Sequence, residues 1–143
     1  MSDVGIEELL GGAAVVGHSV KTGMDLYELS RIGLPKKSLT SLARNLNLSM
    51  RSMSALLNIT ERTIQRKDDL ELLDVSTSEQ LLQIAEVYSR GAEVFGSSRN
   101  FHDWMGSENK ALGNKKPLEL LPSRYGAQMI LDTLGRIENG IAS

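Results

Sequence analysis

The chain has 143 residues, 41% of them hydrophobic, a formal net charge of −2 and no cysteine. This is enough apolar material for one compact domain, or for two small helical units sharing a core, and it sets the chain apart from disordered sequences. The missing cysteine excludes disulfides, thiol nucleophiles, Cys-based zinc sites and iron–sulfur clusters, and no stretch approaches the roughly 20 apolar residues that span a bilayer. The N-terminus carries Asp3, Glu7 and Glu8 where a signal peptide carries Lys or Arg, so a soluble, cytoplasmic protein is expected.

In chain order, Ile6, Leu9 and Leu10 make a short apolar face that Gly11-Gly12 ends. Leu26, Leu29 and Ile32 predict a second helix stopping at Gly33, and Pro35 suits the first turn of the next. Leu39, Leu42, Ala43 and Leu46 recur at i, i+3, i+4 and i+7, one face of an amphipathic helix. Two short helices follow. One starts near Ser49 and buries Met53, Leu56 and Leu57; the other starts after Thr60 and turns Ile64 inward. Ser76-x-x-Glu79 reads as a capping box opening a long helix that buries Leu81, Leu82, Ile84, Ala85, Val87 and Tyr88 and extends to Phe95. Gly96-Ser97-Ser98 breaks it, and residues 99–105 form a short helix with Phe101, Trp104 and Met105. Residues 106–116 are rich in turn formers, and Pro117 opens a helical turn. Ser123 caps a last helix over 124–138, with Met129, Ile130, Leu134 and Ile137 on one side and Gly140 at its end. No run alternates cleanly enough for a strand, so an all-α fold is expected.

Charge is distributed unevenly. Residues 1–30 carry −4, residues 31–67 carry +7 and residues 68–143 carry −5. A basic block between acidic flanks suits a polyanion, and it also suits an ordinary solvated helical surface.

Residues 49–67, SMRSMSALLNITERTIQRK, have the spacing of a DNA-binding helix–turn–helix. Ala55 is the small residue expected where the two helices approach, Ile59 plugs the turn and Ile64 anchors the second helix. The outward positions are then Glu61, Arg62, Thr63, Gln65 and Arg66. Arg62 or Arg66 can donate a bidentate pair to guanine, and Gln65 can do the same to adenine. Thr60 and Thr63 can reach phosphate oxygens or a thymine methyl, while Arg51 and Lys67 suit the phosphate backbone, whose contacts fix register without reading sequence. Short helix pairs of this composition also occur as plain packing units.

The stretch LTSLARNLNLSMRSMSALLNITERTIQRK, followed by EVFG, NKALGNKKPLELL and LGRIENGI, resembles the Xre/MbcA/ParS-type antitoxins, and most closely the Xre antitoxins paired with RES-domain toxins. The resemblance runs from Leu9 to Ile141. Its most specific parts are Asn109-x-Ala-Leu-Gly-x-x-x-Pro-Leu-Glu-Leu-Leu, Gly126-Ala127, and Leu134-Gly135-Arg136-Ile137-Glu138-x-Gly140. It implies a small bacterial homodimer that binds operator double-stranded DNA with its middle, represses its own operon, and blocks a RES-domain toxin that destroys NAD. It carries the DNA role to Arg62, Thr63 and Arg66 and the toxin role to the 109–143 segment. Many relatives have an Asp-Thr-like pair where this chain has Pro122-Ser123. The expected fold is therefore a compact multi-helix protein with a Cro/cI-like helix–turn–helix and a helical C-terminal toxin-binding domain. Its parts are a 1–34 segment supporting the dimer, a 35–75 DNA-binding region and a 76–143 toxin-binding domain.

On the last helix Asp132, Arg136 and Asn139 fall along one side, with Glu138 beside the chain end. A tail with Ile141, Ser143 and a terminal carboxylate can enter an enzyme cleft; the plainer reading is a solvated helix face with a frayed end. Phe101, Trp104 and Tyr125 are expected to fill the C-terminal core rather than form a binding patch. His18 and His102 lack ligand-spaced partners, so neither a metal nor a cofactor is expected. The glycines at 11, 12 and 17 lack the strand and the GK[ST] ending of a phosphate loop, and no nucleophile elbow or ordered triad is visible, so an enzyme is not expected. The alternatives are a stand-alone helix–turn–helix regulator with no toxin, and a module whose basic block meets an acidic protein.

Overall fold

The structure, a computed structural model, describes residues 5–140. Its regular elements are helices: α1 (Ile6–Leu9), α2 (Ala13–Val16), α3 (Gly23–Ile32), α4 (Lys36–Asn45), α5 (Met50–Leu57), α6 (Glu61–Gln65), α7 (Val75–Phe95), α8 (Ser98–Met105), α9 (Pro117–Leu120) and α10 (Arg124–Glu138), with a 3-10 turn at Lys110–Leu112. Among the described residues the only β pairings are two isolated bridges, Pro35 with Leu72 and Asn109 with Lys115. The all-α expectation is met. The chain forms two compact units, Gly5–Ala85 and the stretch from Glu86 onward. Position 75/76, expected as a domain boundary, is where α7 starts; compactness divides the chain inside α7, because its first half packs with the helix–turn–helix.

In the first unit α4 is the central helix. Leu39, Leu42, Ala43 and Leu46 are all buried, and α1, α2 and α5 pack against it. Each fully buried Leu of this kind contributes about 1.5–3 kcal/mol. α2 has no signal in the sequence pattern, because its four residues are too few to show a period. Gly33 ends α3 at φ 97°, and a Cβ there would lie 2.6 Å from the Leu73 carbonyl oxygen, so only glycine lets the chain pass. Beyond it Leu73 N donates to Leu34 O (2.7 Å) and Leu34 N donates to Ser78 Oγ (2.9 Å), tying the start of α4 to the start of α7. Pro35 caps α4 in extended conformation rather than lying in its first turn. Ile32 is 61% exposed and is not part of the buried face, which Leu29 and Ser30 form.

α7 begins earlier than Ser76 implies. Its cap is Asp74, whose Oδ1 accepts from Thr77 N at 2.8 Å. The hydrogen bonds from the Thr77 side chain and amide hold the Asp74 carboxyl below its ordinary range. An anion at this position favours the exposed amides of the first turn more than Ser76 one residue inside the helix can. Asp74→Ala is expected to cost about 1 kcal/mol at neutral pH. Because the folded-state pKa is lowered, that contribution is present above the ordinary carboxyl range and is lost as pH falls through the folded value. Denaturation midpoints of the wild type and the variant should therefore converge in acid.

In the second unit the C-terminal half of α7 packs on α8 through aromatic rings. Tyr88 and Phe101 meet edge-on at 5.2 Å, and Phe101 stacks on Trp104 at 5.8 Å, with Phe95 touching both. Burial pushes the Tyr88 hydroxyl up to about 12. Gly91 makes this packing fit, since a Cβ there would lie 2.3–2.4 Å from ring atoms of the fully buried Phe101. Phe101 thus fills the core as expected, with Trp104 half-buried against it. Tyr125 does not: it is 87% exposed. Ser123 Oγ accepts from Gly126 N (3.2 Å), so α10 starts as expected despite the Pro122-Ser123 departure. The inner side of α10 is Gly126, Ala127, Ile130, Thr133 and Leu134; Met129, expected there, is 43% exposed.

Candidate functional site

α5 and α6 form the helix–turn–helix. Ser49 Oγ caps α5 by accepting from Ser52 N (3.1 Å), and Thr60 Oγ1 caps α6 by accepting from Thr63 N (3.1 Å). Between them Asn58 adopts φ 58°, a left-handed conformation that Asn tolerates, and Ile59 N donates to Ser54 O (3.1 Å). The small buried residue of α5 is Ser54; Ala55, expected at the close approach, is exposed, and Ile59 is only half-buried. The two positions are adjacent, and the fold turns Ser54 inward.

Within α6 only Ile64 is buried. Glu61, Arg62, Thr63, Gln65 and Arg66 are exposed together, and Arg51 is exposed on α5. Thr60 and Thr63 hydroxyls share one hydrogen bond (2.9 Å), which leaves one hydroxyl hydrogen for an outside acceptor such as a phosphate oxygen. Lys67 differs from the others. It is half-buried, its ammonium lies 3.4 Å from Glu71, and its carbonyl accepts from Lys36 Nζ (2.9 Å). The surface therefore offers two guanidinium forks, an amide and a hydroxyl on one short helix, with Arg51 at the side. Those are groups that can read base edges and hold phosphates.

On α10, Asp132, Arg136 and Asn139 are exposed or half-exposed and continue a stripe that begins with Tyr125 and Met129, at successive steps of four, three, four and three residues. Asp132 accepts from Gln128 Nε2 (2.9 Å), and Arg136 donates to Thr133 Oγ1 (3.2 Å). Glu138 lies on the opposite flank and is ion-paired with Arg90 of α7, which also reaches Glu93 at 3.3 Å. Ile141 and Ser143 lie outside the described residues. Tyr125 escapes a sequence reading as a surface residue because its ring type suggests a core. The usable signal is its position, one residue before the inward Gly126-Ala127 pair. Burial raises the pKa of Glu86, half-buried on α7.

The fold also brings together groups the sequence keeps apart. His18 Nε2 lies 3.6 Å from both Asp25 Oδ1 and Glu28 Oε1. Asp25 acts first as part of the α3 start: its Oδ2 accepts from Lys21 N (2.8 Å) and Thr22 N (3.0 Å), which, with the Lys21 amide foremost, lowers its pKa. Among the described residues no helix is long and apolar enough to cross a membrane.

Residues 25–86 match the model of the antitoxin Xre-like helix-turn-helix domain, and residues 90–140 match that of the antitoxin Xre/MbcA/ParS C-terminal toxin-binding domain. An antitoxin Xre from Yersinia enterocolitica serotype O:8 is 31% identical over 67 residues, a match spanning 46% of this chain and 45% of that relative, so the chain matches about half of the relative's length. A chain in the crystal structure of the M. tuberculosis MbcT-MbcA toxin-antitoxin complex has a similar fold, with a TM-score of 0.56 at 17% identity, covering 76% of this chain and 96% of that one.

Proposed function

This chain belongs to the Xre/MbcA/ParS antitoxin family, and we propose that it is the antitoxin of a type II toxin–antitoxin operon. In this reading it occludes a RES-domain, NAD-degrading toxin with its C-terminal unit. It also represses its own operon as a homodimer on operator DNA, acting in the bacterial cytoplasm. Residues 35–75 carry the DNA role, residues 76–143 the toxin role, and residues 1–34 support the dimer.

The observation that carries the DNA half is α6, where a single inward Ile64 leaves Arg62, Thr63, Gln65 and Arg66 outward within the +7 segment. In a dimer two such helices enter successive major grooves about 34 Å apart. Arg51 and Thr60 hold phosphates beside them, and Lys67 joins only by leaving Glu71. The toxin half is supported by the α10 stripe, in which Asp132, Arg136 and Asn139 supply polar contacts and Tyr125 and Met129 an apolar anchor. Ile141 and Ser143 complete the contact at the chain end, and Glu138, on the opposite flank, joins only by leaving Arg90.

The experiment starts from the neighbouring reading frame, where a RES-type toxin is expected. Tyr125→Ser should weaken binding of that toxin by about 30-fold, the loss typical of a buried aromatic anchor, with no change in melting temperature. Removing residues 136–143 should abolish neutralisation while operator binding persists. A lone regulator would have no such neighbour, and both variants would then be silent.

A further inference from the structure

We propose that His18, Asp25 and Glu28 bind a divalent transition-metal cation at the start of α3, with Zn²⁺ the ion their chemistry suits. Such a site is independent of the DNA and toxin roles. His18 lies in the connection between α2 and α3. Asp25 and Glu28 stand at i and i+3 in the first turns of α3, which puts both carboxylates on one side of the helix. His18 Nε2 is 3.6 Å from Asp25 Oδ1 and 3.6 Å from Glu28 Oε1, and the three atoms lie within 4.8 Å of one another.

His18 Nε2 is closed off from solvent, yet it has no hydrogen-bond partner among the described residues. A buried ring nitrogen left in that state is costly, and this one faces two carboxylate oxygens. A positive charge must stand among them: a proton on the ring, or a cation shared by all three. Distance decides between these. A charge-assisted N–H···O bond is about 2.7–2.9 Å long, so 3.6 Å is too far for a hydrogen bond to either oxygen. Two ligands of one tetrahedral zinc, each bonded at about 2.0–2.2 Å, stand about 3.4 Å apart, so the triangle needs only a small contraction around the ion.

The donor set agrees. Ca²⁺ and Mg²⁺ prefer oxygen alone, whereas an imidazole nitrogen suits zinc. A neutral imidazole and two carboxylates offset a divalent charge, in a segment (residues 1–30) that carries −4. The second oxygen of Asp25 is already held by the amides of Lys21 (2.8 Å) and Thr22 (3.0 Å), which fixes the carboxylate with Oδ1 toward His18. Val20 N donates to Glu7 Oε1 (3.0 Å), so the connection carrying His18 is also pinned from α1. A bound ion would fasten that connection to α3, with water in its fourth position.

The test is Zn²⁺ titrated by calorimetry, at neutral pH, into the untagged full chain after dialysis against a chelator. The wild type should take up one ion per chain, and excess Mg²⁺ should not displace it. His18→Gln and Glu28→Gln should each weaken uptake at least about 10-fold, since losing a group that merely orients a zinc ligand already brings about 10–100-fold. Glu28 is exposed, so its variant should keep the wild-type fold and melting temperature in the absence of zinc. His102→Gln, at a surface histidine outside the cluster, should bind as the wild type does. A wild type that takes up no zinc would overturn the site and leave a protonated imidazole between the carboxylates. Uptake unchanged by both His18→Gln and Glu28→Gln would overturn it as well.

Discussion

Gly126→Ala should lower the stability of the C-terminal unit by roughly 3 kcal/mol, although alanine is the better helix former by about 1 kcal/mol. The reason is a backbone collision. A Cβ at residue 126 would sit 2.0 Å from the Leu120 carbonyl oxygen and 2.7 Å from its carbonyl carbon. Leu120 cannot swing away like a long side chain, because it closes α9 and its carbonyl already accepts from Ser123 N at 3.1 Å. Relief requires α9 and α10 to move apart, and those helices pack directly on each other. Gly135 is the control on the same helix: nothing lies within 4 Å of where its Cβ would stand, so Gly135→Ala should stabilise the free chain by about 0.5–1 kcal/mol. Chemical denaturation of the two variants should give opposite signs. Equal effects would mean that the close approach of α9 to α10 does not exist.

Replacing both Arg62 and Arg66 by alanine should weaken operator binding at least about 30-fold, since a bidentate contact to a base contributes about 1–3 kcal/mol and two are removed. If either arginine instead holds a phosphate, its loss should flatten the dependence of log K on log salt by about 0.9. Binding measured at several salt concentrations separates these two roles. Both side chains are exposed, so the fold should be unchanged.

Much of this is legible in the chain because local rules and tertiary packing agree. Ser49, Thr60 and Ser123 cap where a hydroxyl before an apolar period should cap, and α10 runs from Arg124 to Glu138 as expected. The departures arise where two local signals compete or where distant packing decides. Asp74 and Ser76 both offer a cap to α7, and the carboxylate reaches the Thr77 amide. Ala55 and Ser54 are both small, and periodicity does not say which one is buried. Ile32, Tyr125 and Met129 are apolar by type but outward by position, which is what interfaces require and what a core-building rule misassigns. The Arg90–Glu138 pair joins residues 48 apart, and no local pattern can announce it.

Nucleic acid and toxin are, in this reading, gripped by different parts of one small chain. The most direct measurement is NAD consumption by the proposed RES-type toxin, titrated with the Arg62→Ala, Arg66→Ala double variant. The variant, unable to hold the operator, should still silence the enzyme at the same stoichiometry as the wild type. If it leaves NAD turnover running while the wild type stops it, the two grips are one surface and the division of labour is contradicted.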